Sequence, residues 1–586
     1  MTGETSQAAP ATAGHPVTGA ATGAELLLES LREHGVDCIF ANLGTDYAPV
    51  VEALARYRRR GAEMPRLVLC QHESVALSAA HGYAAATGRA QAVFVHADVG
   101  TQNLGGAVHN ASRARVPVLV IAGLSPITTR GELPGSRSSP VQYLQDIPDQ
   151  PGIVRQYAKW TCELRTAVNM RQVVARALQV GRAEPCGVVY LTAPREPLEQ
   201  VVQRPTEQPA LALPEPCVPA DEALETLRDW LYEAELPLVL TSYVGRSAAA
   251  VEALVEVAEA AGLGVIDAPP FTWSNFPSDH PQHLGASASP LVGQADLLFL
   301  VDVDTPWVPA LTQLRAGARI AHLDIDPVKA TMPLYDLPAQ LLMHGTSAAT
   351  LRRLLALLRR DPPAPERVEH RRSRLLELHE RLRAEAAGEA GRAADEGLLT
   401  PALVARALDE VLGERGVVLH EAVSNAPATI RQIRRGRARR FYGSGGGSLG
   451  WGGGAALGVK LALPEEDVAY LTGDGTFVFA NPTAVYWGTR RYKVPFMTVI
   501  LNNLGWRAVK TATLQQHPDG AARELGDFAA SFEPGADLSR VAESAGAHAV
   551  TVSACDELER ALAEGLRATR GGVASVIDVK LDQSSE

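Results

Sequence analysis

Residues 471–507 read LTGDGTFVFANPTAVYWGTRRYKVPFMTVILNNLGWR. A β-rich run, Val468 to Leu471, stops at Gly473-Asp474-Gly475. A helix-length segment follows. A second apolar run, Phe496 to Leu501, stops at Asn502-Asn503. Two such runs around one helix read as a βαβ unit. Its two loops fall at the carboxyl ends of neighbouring parallel strands, where open α/β sheets bind ligands. Asp474 and Asn503 are therefore expected to converge, one with a carboxylate oxygen and the other with an amide oxygen. Hard oxygen ligands completed by phosphate and water suit Mg2+ rather than zinc. The glycines beside Asp474 let backbone amides approach a diphosphate. Gly-Asp-Gly alone is also a common turn; the Asn-Asn pair at βαβ distance makes it a candidate site.

The chain of 586 residues is too long for one core. Its net charge of −11 argues against nucleic acid as the main ligand. No apolar run approaches the roughly 18 residues that would span a membrane. Residues 1–22 have neither a basic start nor an apolar centre, and they read as a disordered tail rather than a signal peptide. The six cysteines (38, 70, 162, 186, 217 and 555) form no Cys-x-x-Cys pair, which points to a reduced, cytoplasmic protein.

Outward from the opening stretch, apolar runs and helical patterns alternate in three blocks. In residues 23–200 the runs are Arg66 to Cys70, Ala92 to Val95, Val116 to Ala122 and Gly187 to Leu191. In 220–360 they are Pro237 to Thr241, Gly264 to Asp267, Leu297 to Val303 and Arg319 to Ile325. The third block is 399–586. The alternation predicts an α/β protein with three doubly wound parallel-sheet domains. A Pro-rich linker, 201–219, separates the first two. A charged helical linker, 361–398, separates the last two, and Thr400-Pro401 starts the next helix as N-cap and N1 proline.

Gly-Asp-Gly followed just under thirty residues later by Asn-Asn resembles the diphosphate signature of thiamine diphosphate (ThDP) enzymes, of the benzoylformate decarboxylase and acetolactate synthase superfamily. The spacing here is slightly longer than the family's usual one. The resemblance implies pyrimidine-binding, central and diphosphate-binding domains in that order. It implies that Asp474, the side chain of Asn503 and the carbonyl of Gly505 hold Mg2+. Gly473, Gly475 and Thr476 would surround the diphosphate, with Ser424 and Asn425 of HEAVSN donating to it. The family pattern has a hydroxyl residue where Val423 stands. Glu73, just after the run Arg66 to Cys70, takes the place of the glutamate that faces the pyrimidine N1′ and promotes formation of the C2 ylid. Its neighbour His72 reads as structural. His96 follows Glu73 by 23 residues, where benzoylformate decarboxylase has a catalytic histidine and acetolactate synthases read Gly-Pro-Gly. Phe276 to Pro281 resembles the loop with the second active-site histidine, which would be His280.

Gly445-x-Gly447-x-x-Gly450 also satisfies the dinucleotide fingerprint. The next strand, however, ends at Gly-Asp-Gly and not at the acidic residue that fingerprint needs. By the resemblance, Leu449 instead props the bent cofactor and the carbonyl of Gly447 accepts from its aminopyrimidine. Trp506 begins the substrate-facing segment, while Arg507 and Lys510 read as a solvated helix face. The central block has no FAD signature, so FAD is not expected.

The implied reaction is decarboxylation or carboligation of a 2-oxo acid through ylid and enamine. His96 favours protonation to an aldehyde. The alternative is an acetolactate synthase-type carboligase, with a second carbonyl compound as acceptor. A catalytically silent regulatory subunit is the minor alternative. The resemblance further implies a homodimer or homotetramer with active sites between subunits.

Overall fold

The structure is a computed structural model that describes residues 19–205, 211–286, 290–436 and 440–582. Three separate parallel sheets form, one for each predicted block. The first contains β2 (Cys38–Asn42), β3 (Arg66–Leu69), β4 (Gln91–Val95), β5 (Val118–Gly123), β6 (Trp160–Glu163) and β7 (Val188–Ala193), in the order β3-β2-β4-β5-β7-β6. Every residue of β4, β5 and β7 is buried. Strands covered by helices on both faces are unbroken apolar runs for this reason.

Residues read as the end of a tail are in fact structured. β1 (Ala20–Thr22) pairs antiparallel with β8 (Val201–Gln203), so the first domain is closed by its own two ends. Thr22 then N-caps a helix and forms a capping box with Glu25. Residues 1–18 of the expected tail, and 206–210 of the Pro-rich linker, lie outside the described residues.

The central sheet has the order β10-β9-β11-β12-β13, from β9 (Pro237–Thr241), β10 (Gly264–Asp267), β11 (Leu297–Val301), β12 (Arg319–Asp324) and β13 (Leu341–His344). The third has the order β15-β14-β16-β17-β19-β18. Its strands are β14 (Gly416–Glu421), β15 (Phe441–Gly443), β16 (Asp467–Gly473), β17 (Met497–Asn502), β18 (His548–Val552) and β19 (Ser575–Lys580). The charged linker is one helix, Pro365–Asp395. Thr400 caps the next, Pro401–Leu412, accepting from the Leu403 amide at 3.3 Å.

Strand order reverses between β2 and β4, between β9 and β11, and between β14 and β16. Ligand crevices of doubly wound sheets open at such points. In the central sheet the crevice edge holds the protein's own charges. Arg115, from the first domain, places Nη2 2.8 Å from Asp304 Oδ1 and Nη1 3.1 Å from Asp324 Oδ1. Lys329 Nζ lies 2.6 Å from Asp324 and 2.8 Å from Asp304. The Arg115 guanidinium lies 4.5 Å from the Tyr243 ring centroid. Removing one member of such a buried network typically costs about 3–5 kcal/mol, because the others are left uncompensated.

The first and third domains are joined through two helices, Glu73–Thr87 and Trp451–Ala462. Small residues bring their backbones into contact. A Cβ at Gly458 would lie 1.9 Å from the Ala79 carbonyl oxygen, and one at Gly82 2.2 Å from that of Ala455. Trp451 Nε1 donates to His81 Nδ1 at 3.0 Å, and burial pushes His81 down to about 3, so the ring is the neutral acceptor. Gly458→Ala is expected to cost about 1–3 kcal/mol through helix separation. Urea unfolding of the variant measures it, and an unchanged midpoint would contradict this packing.

Candidate active site

At the β14/β16 switch point the register sets Glu421 beside Thr472 and, one strand over, Gly473 beside Leu501. The loops leaving β14, β16 and β17 therefore emerge together. Asp474 is buried at the first position of the helix Asp474–Phe479. Its Oδ1 accepts from the Gly475 amide at 2.8 Å and its Oδ2 from the Gly505 amide at 3.0 Å. Burial raises its pKa above the ordinary aspartate value. The first asparagine of the pair is structural: Asn502 donates to Asp578 at 2.9 Å and accepts from the Leu504 amide at 3.1 Å. The second, Asn503, is half-buried beyond the strand end. Leu504 takes a left-handed φ of 57° and turns the chain so that Gly505 reaches back to Asp474. Asp474, Asn503 and Gly505 thus belong to one cluster of loops.

Gly475 is required here, because a Cβ would lie 2.3 Å from the Trp506 ring. That ring sits edge-on between Phe479, at 6.0 Å, and Phe532, at 5.0 Å. Arg507 is half-buried, contrary to the solvated helix face expected, and its Nη1 lies 3.5 Å from Asn425 Oδ1. It begins the helix Arg507–Gln516, and the Gly505 carbonyl accepts its amide at 3.1 Å. Ser424 and Asn425 lie in the 3-10 turn after β14, Ser424 exposed and Asn425 buried.

The glycine loop before Trp451 is anchored by a residue the sequence reading passed over. Glu421, the last residue of β14, accepts from the amides of Trp451 (3.0 Å) and Gly452 (2.8 Å) and from the Tyr470 hydroxyl (2.7 Å). Burial pushes its pKa up to about 7. From the other side Asn110 brackets the loop, accepting from the Ser448 amide at 3.1 Å and donating to its carbonyl at 2.8 Å. His109 Nε2 accepts from the Gly447 amide at 3.1 Å. Gly450 has a φ of 87°, and a Cβ there would lie 2.5 Å from the backbone of Phe479. Gly447 is exposed and Leu449 half-buried.

In the first domain His72 caps the Glu73 helix, accepting from the Ser74 amide at 3.2 Å, in keeping with its structural reading. Glu73 is buried at the first helical position and accepts from Asn103 Nδ2 at 3.0 Å. At the β2/β4 switch point His96 follows β4, and its Nδ1 lies 2.8 Å from Asp46 Oδ1. Asp46 also accepts from the Ala97 amide at 3.3 Å. The hydrogen bond to Asp46 raises the His96 pKa despite its burial. Glycines 44 and 123 close around the pair. A Cβ at Gly44 would lie 2.0 Å from His96 Nδ1, and one at Gly123 1.2 Å from Asp46 Oδ2. In the sequence Asp46 stands in the short stretch Gly44-Thr45-Asp46 just after β2.

His280 makes its contacts inside the central domain. Its Nε2 lies 3.3 Å from Glu259, its Nδ1 accepts from the Gln282 amide at 3.2 Å, and its ring meets Phe276 edge-on at 5.1 Å. These contacts all lie within the central domain. The turn from Pro277 to His283 closes on itself through backbone bonds and holds the ring against the helix Ala248–Ala261.

Residues 21–153 match the model of the thiamine pyrophosphate enzyme N-terminal TPP binding domain, and residues 423–579 that of the C-terminal TPP binding domain. The chain belongs to the thiamine pyrophosphate enzymes. Among relatives, this thiamine pyrophosphate enzyme is 26% identical to benzoylformate decarboxylase of Pseudomonas aeruginosa over 556 residues, covering 92% of this chain and 96% of that one. It is 26% identical over 588 residues to the acetolactate synthase isozyme 3 large subunit of Escherichia coli, covering 96% and 95%. Its fold matches the ThDP-dependent 4-hydroxybenzoylformate decarboxylase of Rhodococcus jostii with a TM-score of 0.74 at 22% identity, over 96% of this chain and 99% of that one.

The donor chemistry fits a hard divalent cation. One buried carboxylate, one amide oxygen and one carbonyl lie in adjoining loops, and among the described residues no three His, Cys, Asp or Glu side chains cluster as a softer metal would need. No helix of the described residues is long and apolar enough to cross a membrane.

Proposed function

We propose that this thiamine pyrophosphate enzyme is a Mg2+-dependent 2-oxo-acid decarboxylase that releases an aldehyde. The observation that carries this reading is the Asp46–His96 pair at the β2/β4 switch point. When bound, ThDP would supply the electron sink that decarboxylation of a 2-oxo acid needs. The protein's share is positional and protonic. Asp474, Asn503 and Gly505 would hold the metal, while Ser424, Asn425, Gly473, Gly475 and Thr476 would surround the diphosphate. Gly447 and Leu449, on the loop fixed by Glu421, receive the pyrimidine. Glu73 holds a proton against the pyrimidine nitrogen. His96, with Nδ1 committed to Asp46, offers Nε2 to the bound substrate and delivers the product's proton. Val423, Phe479 and Val509, close in sequence to these residues, are exposed apolar side chains. Glu73 and Asp474 of one site come from different subunits of a homodimer or homotetramer.

His96→Ala is expected to slow aldehyde release by about 10²-fold or more, with ThDP affinity little changed. Equal losses in both would make His96 structural. Asp46→Asn removes the carboxylate that favours the imidazolium. The basic limb of its kcat profile should move to lower pH, and a profile superimposable on the parent's would remove Asp46 from the mechanism.

The identity of the reaction is tested with ThDP and Mg2+ on a panel of benzoylformate, phenylpyruvate, branched 2-oxo acids and pyruvate, following carbon dioxide and the mass of the organic product. Aldehyde supports the proposal. An acyloin or acetohydroxy acid would move the protein to the carboligase branch, the direction of its acetolactate synthase relative.

A further inference from the structure

A cavity of about 610 Å³ lies at the junction of the central domain, the linker helix Pro365–Asp395 and the third domain. Its lining includes none of the residues assigned to the cofactor site and none of Arg115, Asp304, Asp324 and Lys329. Its floor is apolar, with Leu284, Leu382, Pro427, Ile430 and Ile433 among its residues. Five arginines line it: Arg383, Arg406, Arg431, Arg434 and Arg435. Only two lining residues are acidic, Asp409 and Glu410. This is a concentration of positive charge in a chain whose net charge is −11.

The five guanidiniums are not equally committed. Arg435 is buried and fixed, with Nη2 2.9 Å from Asp267 Oδ2 and Nη1 donating to the Ile430 carbonyl at 2.9 Å. Arg434 is held by Asp409. Arg406 pairs with Glu410 at 2.9 Å and Arg431 with Glu389 at 2.9 Å, but all four of these side chains are substantially exposed. Exposed pairs are weak and readily exchanged for a better anion. Arg383 is exposed and makes no ion pair among the described residues. Arg431 Nε also donates to the Pro427 carbonyl at 2.8 Å and Arg406 Nη1 to the Ala387 carbonyl at 3.3 Å. The nitrogens held only by exposed carboxylates, and Arg383, are the ones that can turn to a phosphate, the anion to which guanidinium is best matched. The volume lies within the range of about 300–1,000 Å³ typical of small-molecule sites, which likewise combine an apolar floor with a few polar anchors.

We propose that this interdomain cavity binds an organic phosphate of nucleotide size, with its flat body on the apolar floor and its phosphates on Arg383, Arg406 and Arg431. This site is independent of the reaction assigned to the cofactor site.

The test uses the full-length enzyme saturated with ThDP and Mg2+, so that the diphosphate loops are already filled. ADP is titrated by calorimetry at fixed ionic strength, with adenosine and inorganic sulfate as separate controls. Saturable binding of one ADP per chain is expected. It should weaken at least about tenfold in Arg383→Glu/Arg406→Glu, two exposed positions outside the cofactor machinery, through loss of charge-assisted bonds. The variant's turnover should match the parent's. Three results would each overturn the proposal: no saturable ADP binding, binding unaffected by the double substitution, or adenosine or sulfate alone binding as tightly as ADP.

Discussion

Glu73→Gln is expected to retain ThDP and to lose turnover by about 10²- to 10⁴-fold, the usual range for removing a positioned acid–base group. Glutamine preserves the shape and the acceptor oxygen that meets Asn103 Nδ2 at 3.0 Å, so the helix start and its packing persist. What it lacks is a carboxyl that takes up and returns a proton. Gly100 stands directly against the carboxylate, where a Cβ would lie 3.2 Å from Oε1. The side chain thus has a defined channel and little freedom to compensate. Fluorescence titration of ThDP against steady-state kcat separates the two effects. Near-normal turnover would defeat the assignment; loss of both binding and turnover would make Glu73 a structural residue.

Asp474→Ala is expected to abolish Mg2+-dependent ThDP binding at working concentrations, an effect beyond the roughly 10–100-fold typical of residues that only orient a ligand. Two losses combine. The metal loses its one charged oxygen, and the amides of Gly475 and Gly505 lose their acceptor, which frees the loop that presents Asn503. Asp474→Asn distinguishes them, since the amide oxygen keeps one of those bonds but not the charge. Calorimetric titration with Mg2+ checks both variants, and unchanged affinity in Asp474→Ala would remove it as a ligand. A pH dependence follows from the same burial. The folded pKa of Asp474 is raised, so protonation begins at higher pH than for an ordinary aspartate. Metal binding requires the carboxylate. Cofactor affinity should therefore decline as pH falls, and sooner than an exposed aspartate would cause.

Much of this site was legible as sequence because its chemistry is local. Gly473 to Gly475 follow a strand and start a helix, and the backbone there leaves little choice of residue: a side chain at 475 meets Trp506. Asn502 and Asn503 are likewise placed by the end of β17. The three alternating blocks and the charged linker helix were legible for the same reason, since strands buried on both faces and a solvated helix each have distinct residue patterns. The short edge strands β6, β13 and β15 were not, because their residues are few and β6 and β13 are only partly buried.

Four features depended on contacts between residues far apart in the chain. Asp46 meets His96 across 50 positions, and no spacing rule links the ends of β2 and β4 until the sheet order sets them side by side. Glu421 became an anchor only when the Trp451 helix docked its amides on it. Arg507 read as a surface residue because helical periodicity describes a helix alone, not the Asn425 loop packed beside its first turn. His280 lay in a motif-like stretch, but the turn around it directs the ring to Glu259. The sequence by itself determined the three-domain order, the strand ends and the chemistry placed at each. Only the tertiary structure decided which of those ends meet, because proximity across a parallel sheet is set by strand order and long-range packing rather than by separation along the chain.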